Sequence, residues 1–151
     1  MTKKIGKVPG GTRRLVVDAP AAVRRGAVRE LVQTADVILI PVLPSLFDEA
    51  TTRRFLRVLD KLKPIRNNKR AVALVGNRIR VRTTASRHLE DFLAGLNQDV
   101  VSLIRDTQLY PTASAGGLSI FDMAPSRAER YTEEWRPLLR FISNVAFQKD
   151  R

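Results

Sequence analysis

Three stretches of the chain are apolar without interruption: Leu15-Val16-Val17, then Val37-Ile38-Leu39-Ile40 with Val42, then Ala71-Val72-Ala73-Leu74-Val75. A strand with one wet face alternates apolar and polar side chains, because successive Cβ atoms point to opposite sides of a sheet. These runs do not alternate, and they are rich in β-branched residues. They fit strands buried on both faces, the situation of a parallel sheet covered by helices on either side. A weaker fourth run is Val100-Val101-Ser102-Leu103-Ile104.

Helical spacing fills the gaps between the runs. Ala27, Val28, Leu31 and Val32 share one face of a helix over about residues 24–34. Ser45 and Asp48 form a capping signal after Pro44, and Thr51, Phe55, Val58, Leu59 and Leu62 then recur at helical steps until Lys63-Pro64 stops them. A third helix over about 84–96 carries Leu89, Phe92, Leu93 and Leu96 and ends near Gly95. The last opens at a Ser126–Glu129 capping box and lines up Ala128, Tyr131, Trp135, Leu138, Ile142 and Val145, with Pro137 expected to kink or divide it. Strand and helix alternating in this way predict a doubly wound α/β domain with a mostly parallel sheet and right-handed crossovers.

Composition narrows the chemistry. The chain has no cysteine and a single histidine, His88, which excludes disulfides and thiol nucleophiles and leaves little for a zinc site or a catalytic triad. A metal, if used, would be magnesium held by oxygen. No apolar run approaches the roughly 20 residues that span a bilayer, and Met1–Pro9 has no long apolar core of a signal peptide, so a cytoplasmic protein without a membrane partner is expected. With 27 Lys and Arg against 15 Asp and Glu, the formal charge is +12. Such a field attracts polyanions, DNA first among them, although an Arg-rich composition alone also produces it.

In an open parallel sheet, ligands bind at the carboxyl ends of the strands. The first run ends in Val17-Asp18-Ala19-Pro20, the second in Ile40-Pro41-Val42-Leu43-Pro44-Ser45, the third in Val75-Gly76-Asn77-Arg78. A carboxylate in the position of Asp18 serves a magnesium ion or, equally, a turn or helix cap. In order and spacing these three elements resemble the ParA and MinD family of deviant P-loop partition ATPases. The likeness continues through Ile104-Arg105-Asp106 and Ala115–Asp122 into the final helix, covering about residues 13–145.

The resemblance implies a partial P-loop NTPase-like (Rossmann-like) three-layer α/β fold over residues 13–151, preceded by a flexible basic segment, 1–12. It implies ATP and magnesium as the family's cofactors. By the same resemblance Asp18 corresponds to the magnesium-associated aspartate, Pro41 lies on the nucleotide rim, and Asn77 with Arg78 lies beside the adenine. One departure stands out. Members carry a strand, a Lys-Gly-Gly-x-Gly-Lys-Thr loop and a helix well before the Asp-x-Pro element, whereas here seventeen residues precede Asp18. Lys7-Val8-Pro9-Gly10-Gly11-Thr12 has glycines, but no apolar strand leads into it and the Gly-Lys-Thr order is missing. A truncated homologue unable to hydrolyse ATP alone is expected, since the loop's amides and lysine cradle the phosphates in such enzymes.

Arginines gather at Arg78, Arg80, Arg82 and Arg87 and again at Arg127, Arg130, Arg136 and Arg140. Family members bind DNA without sequence preference through basic residues of this half, which makes Arg80, Arg82, Arg127 and Arg130 candidate phosphate contacts. Pairing of Arg130 with Glu134 and of Arg136 with Glu133 along a solvated helix is the competing expectation. Arg80 and Arg82 have no acidic neighbour in sequence. The resemblance and the charge fit a plasmid or chromosome partition homologue, a non-catalytic DNA-binding module, or a regulatory subunit of an intact ParA-like ATPase, with a ParB-like protein as a further partner. Because the phosphate-loop strand lies inside the sheet of the related enzymes, its absence predicts exposed strand edges and a homodimer or aggregation.

Overall fold

The structure is a computed structural model describing residues 8–20 and 25–149. Its elements run α1 (Arg25–Thr34), β1 (Val37–Val42), α2 (Leu46–Leu59), α3 (Lys63–Arg66), β2 (Ala71–Ile79), α4 (Thr84–Ala94), β3 (Asp99–Arg105), α5 (Leu109–Ala115), a single 3₁₀ turn (Ile120–Asp122) and α6 (Pro125–Lys149). Three strands form one all-parallel sheet in the order β1-β2-β3.

The two faces of β2 divide the core. On one side Leu74 and Ile79 pack with Ile40 and Val42 of β1, Val28 and Val32 of α1, Leu56 and Leu59 of α2, and Leu89, Phe92 and Leu93 of α4. On the other, Val75 joins Ile104 of β3 beneath Leu138 of α6, with Trp135 and Ile142 alongside. The result is helices, sheet, helix in three layers, as the uninterrupted apolar runs require. Each fully covered leucine, such as Leu59, Leu74 and Leu89, contributes about 1.5–3 kcal/mol of transfer free energy. Among the described residues no helix is long and apolar enough to cross a membrane.

The run Leu15-Val16-Val17, expected as the first of four strands, is not a strand. It is 53%, 92% and 47% exposed, and Arg14 beside it donates to Ser143 Oγ on α6 at 3.0 Å. Apolar, β-branched composition describes a fit to a pleated and partly buried surface, and without a neighbouring strand it does not create one. The segment 1–12, expected to be flexible, lies outside the described residues up to residue 7. Its described part makes a turn in which the Thr12 backbone N–H donates to the Pro9 carbonyl at 3.3 Å, with Gly11 at φ +81°.

Helix ends also differ in detail from the sequence expectation. α2 begins after Ser45, but the serine side chain makes no capping bond. It ends at Leu59, and Pro64 sits in the first turn of the separate α3, where its missing N–H costs nothing. α6 starts one residue before the expected Ser126 box. The capping box instead closes the 3₁₀ turn: Asp122 accepts from the Ser119 hydroxyl and backbone N–H, at 2.6 and 2.8 Å, which holds its carboxyl below the usual range. Pro137 does not divide α6. The next N–H, of Leu138, donates to the buried Ser102 Oγ of β3 at 3.2 Å, tying helix to sheet at the proline.

Gly76 lies at the centre of β2, where a Cβ would come within 2.5 Å of Leu103 Cδ2 and 3.2 Å of Leu93 Cδ1. Gly76→Ala is expected to destabilise the domain by about 1–3 kcal/mol in chemical denaturation. Adding Leu103→Ala, which vacates the space, restores part of the loss.

Candidate functional site: a basic rim at the carboxyl ends of the strands

In an all-parallel sheet the three carboxyl ends share one side, so the register decides which residues meet there. Pro41 is opposite Val75 and Val42 opposite Gly76, which brings Pro41 within two positions of Asn77 on the adjacent strand. Between β2 and β3 the register passes from Gly76 opposite Leu103 to Ile79 opposite Arg105, so β2 carries one extra residue. This is a β-bulge. Arg78 takes φ +55° within it, and the Asn77 Oδ1 accepts the Arg78 N–H at 2.9 Å, replacing a partner that the broken ladder no longer offers.

The bulge aims two arginines at one carboxylate. Arg80 Nε lies 2.8 Å from Asp106 Oδ2 and Arg78 Nε 3.8 Å from Asp106 Oδ1, while the Asp106 N–H donates to the Ile79 carbonyl at 2.8 Å. Asp106 directly follows β3 and is positioned by that strand. The sequence expectation that Arg80 has no acidic neighbour is therefore corrected: its partner is 26 residues away in sequence and one strand away in space. Arg78 and Arg80 remain 62% and 69% exposed, so each pair contributes little to stability, about 0–1 kcal/mol.

A second group adjoins the first through Arg105. Its guanidinium and its backbone N–H, the latter at 2.9 Å, both bond the Glu134 carboxylate of α6. Glu134 thus pairs with Arg105 and not with Arg130, as helical spacing suggested. Arg130 instead lies over the Tyr131 ring with its Cζ 4.5 Å from the centroid, and Arg105 approaches the same ring at 5.5 Å. Hydrogen bonds from the Thr107 side chain and from Arg130 lower the Tyr131 phenol pKa. Arg136 does pair with Glu133, at 2.7 Å.

The rim therefore gathers Arg78, Arg80, Arg105 and Arg130 around Asp106 and Glu134, four guanidiniums against two carboxylates, with a net excess of positive charge. Arg82 and Arg127 are exposed beside it, Arg82 just before the Thr83 cap of α4 and Arg127 in the first turn of α6. Local sequence patterns do not mark Arg105, Asp106 and Glu134 as charged members of the site. The signal available was the position of Arg105-Asp106 at a strand end.

Asp18 lies on the exposed N-terminal segment and not at the end of a strand. Among the described residues no three His, Asp or Glu side chains cluster to hold a metal ion. Asp18 therefore does not supply the strand-end carboxylate of the magnesium nucleotide site that the resemblance implies. A cleft of 1030 Å³ opens at the opposite end of the sheet, near Ala71 and Asp99. Its walls carry both signs of charge, Asp36, Asp60 and Asp99 with Arg66, Lys69 and Arg70.

No family model matches the chain. It is similar to the maintenance of carboxysome distribution protein A of Halothiobacillus neapolitanus (strain ATCC 23641 / c2), 28% identical over 129 residues. The chain is a distant relative of that protein. The match covers 85% of this chain and 59% of the relative, so the chain spans about three fifths of the relative's length.

Two arginines at the rim, Arg78 and Arg82, hold φ of +55° and +66°, a region that costs a non-glycine residue about 1–2 kcal/mol. Arg82→Gly is expected to raise unfolding free energy by about 1 kcal/mol in denaturant titration, even as it removes a charge from the rim.

Proposed function

We propose that this chain is a ParA-like positioning protein that holds duplex DNA, without sequence preference, on the basic rim at the carboxyl ends of its strands. The observation that carries the reading is the rim itself. Guanidiniums from the ends of β2 and β3 and from α6 outnumber the carboxylates among them, and those of Arg78 and Arg80 stay largely exposed, which is what phosphate neutralisation requires and base reading does not. The positioning role is supported by the resemblance to partition ATPases and by the similarity to a protein named for maintaining carboxysome distribution. Arg80, Arg82, Arg127 and Arg130 make the phosphate contacts. Asp106 competes with phosphate for Arg78 and Arg80 and sets how readily they are released.

The physical test is the salt dependence of duplex binding. Each phosphate contact steepens the fall of log K with log salt by about 0.9. Replacing Arg80 and Arg82 together by Ala is expected to flatten that slope by about two contacts and weaken binding to every duplex alike. Asp106→Asn is expected to tighten it several-fold. An unchanged slope in the double variant rejects these residues as contacts, and weaker binding by Asp106→Asn rejects the competition.

By itself the chain does not hydrolyse ATP in this proposal, because its sequence has no Gly-Lys-Thr loop to cradle a triphosphate and a lone Asp18 carboxylate would repel one. Isothermal titration with MgATP is expected to show no binding in the micromolar range, and turnover to stay at background with and without duplex DNA. A second reading, a non-catalytic DNA-binding module or regulatory subunit of an intact ParA-like ATPase, is favoured by the placement of Asp18 away from a strand end. Stimulation of an intact ParA-like ATPase by added chain distinguishes the regulatory role.

A further inference from the structure

Among the described residues both outer strands keep a free edge, and two features, the edge of β1 and one apolar run, complement each other in chemistry. The outer side of β1 pairs with no strand among the described residues, so the backbone groups along that edge of Val37–Val42 have no ladder. On the sheet face away from α1, α2 and α4, Leu39 is 39% exposed and Pro41 is exposed, because α6 packs over β3. The other feature is Leu15-Val16-Val17, an apolar and β-branched run outside the sheet, with Val16 92% exposed. One is an acceptor without a strand, and the other has the composition of a strand without an acceptor.

We propose that a second copy of this chain lays its Leu15–Val17 run along the open edge of β1 and receives the same run in return. The inference stands apart from DNA binding. Each copy carries both halves of the contact, so a reciprocal exchange closes under a two-fold axis. Strand addition satisfies edge N–H and C=O groups with main-chain bonds while side chains on either face set the register. Pro41 has no N–H to offer, which concentrates the pairing on Val37–Ile40. Within its own chain the run is held beside α6 by the exposed bond from Arg14 to Ser143, a weak restraint on leaving.

Exchange covers Leu15, Val16, Val17 and Leu39 on both copies at once. Two added strands with their edges bury on the order of the ~1,000 Å² at which specific interfaces begin. Charge opposes the contact, since each copy carries +12. Association therefore strengthens as salt screens that repulsion, the reverse of binding to a polyanion.

Sedimentation of the whole chain tests this between about 0.05 M and about 0.5 M salt, a range over which exposed charges become largely screened. The chain is expected to move from monomer towards dimer as salt rises. Val16→Pro, which removes an N–H from the donated run, weakens the dimer at least tenfold without shifting the thermal melt, because Val16 touches little in the monomer. Leu39→Lys blocks the acceptor side and has the same effect. Mixing the two variants restores a heterodimer through a single exchange, since one keeps the edge and the other keeps the strand. A monomer at every salt concentration, a dimer indifferent to Val16→Pro, or a mixture that fails to pair overturns the proposal. Pairing of one β1 edge directly with another gives the second of these results.

Discussion

β2 gives one side of its backbone to β1 and the other to β3, and its two faces meet the apolar clusters that cover the two sides of the sheet. Leu74 and Ala73 are wholly covered on opposite faces of the same strand, and the apolar sets that meet there come from all the long helices. A strand in that position tolerates no wet side chain over its central residues. Among the described residues it is also the only strand with no free edge, so both its neighbours take their register from it.

The bulge near the end of β2 converts that packing constraint into surface chemistry. One extra residue between Gly76 and Ile79 breaks the alternation and turns Arg78 and Arg80 toward the end of β3, where Asp106 meets both. The same strand end carries Arg105 to Glu134 of α6. The rim is thus the place where the register of two strand pairs and the docking of one helix converge. A shared carboxylate restrains two exposed guanidiniums without neutralising both.

Much of the fold was legible in local patterns. The runs at 37–42, 71–75 and 100–104 are strands, and the helical stripes at Leu89, Phe92 and Leu93 and at Tyr131, Leu138 and Ile142 face the core. These patterns are legible because burial on both faces or on one stripe imposes its period on the chain itself. Leu15-Val16-Val17 carried the same pattern and is not a strand. Nothing within three residues says whether an edge is available to receive them. Arg80 shows the complementary failure: its neighbours in sequence are uncharged or basic, and its carboxylate arrives from another strand.

The amino-acid sequence alone determined the class of fold, the positions of its buried strands and helices, the excess of positive charge and the absence of thiol chemistry, because each depends on composition or on spacing within a few residues. Tertiary structure decided that Leu15-Val16-Val17 stays out of the sheet, that β2 bulges, and that Arg80, Asp106, Arg105 and Glu134 form one connected surface. Those outcomes depend on which edges meet and in what register, and such contacts join residues too far apart in the chain for any local pattern to record.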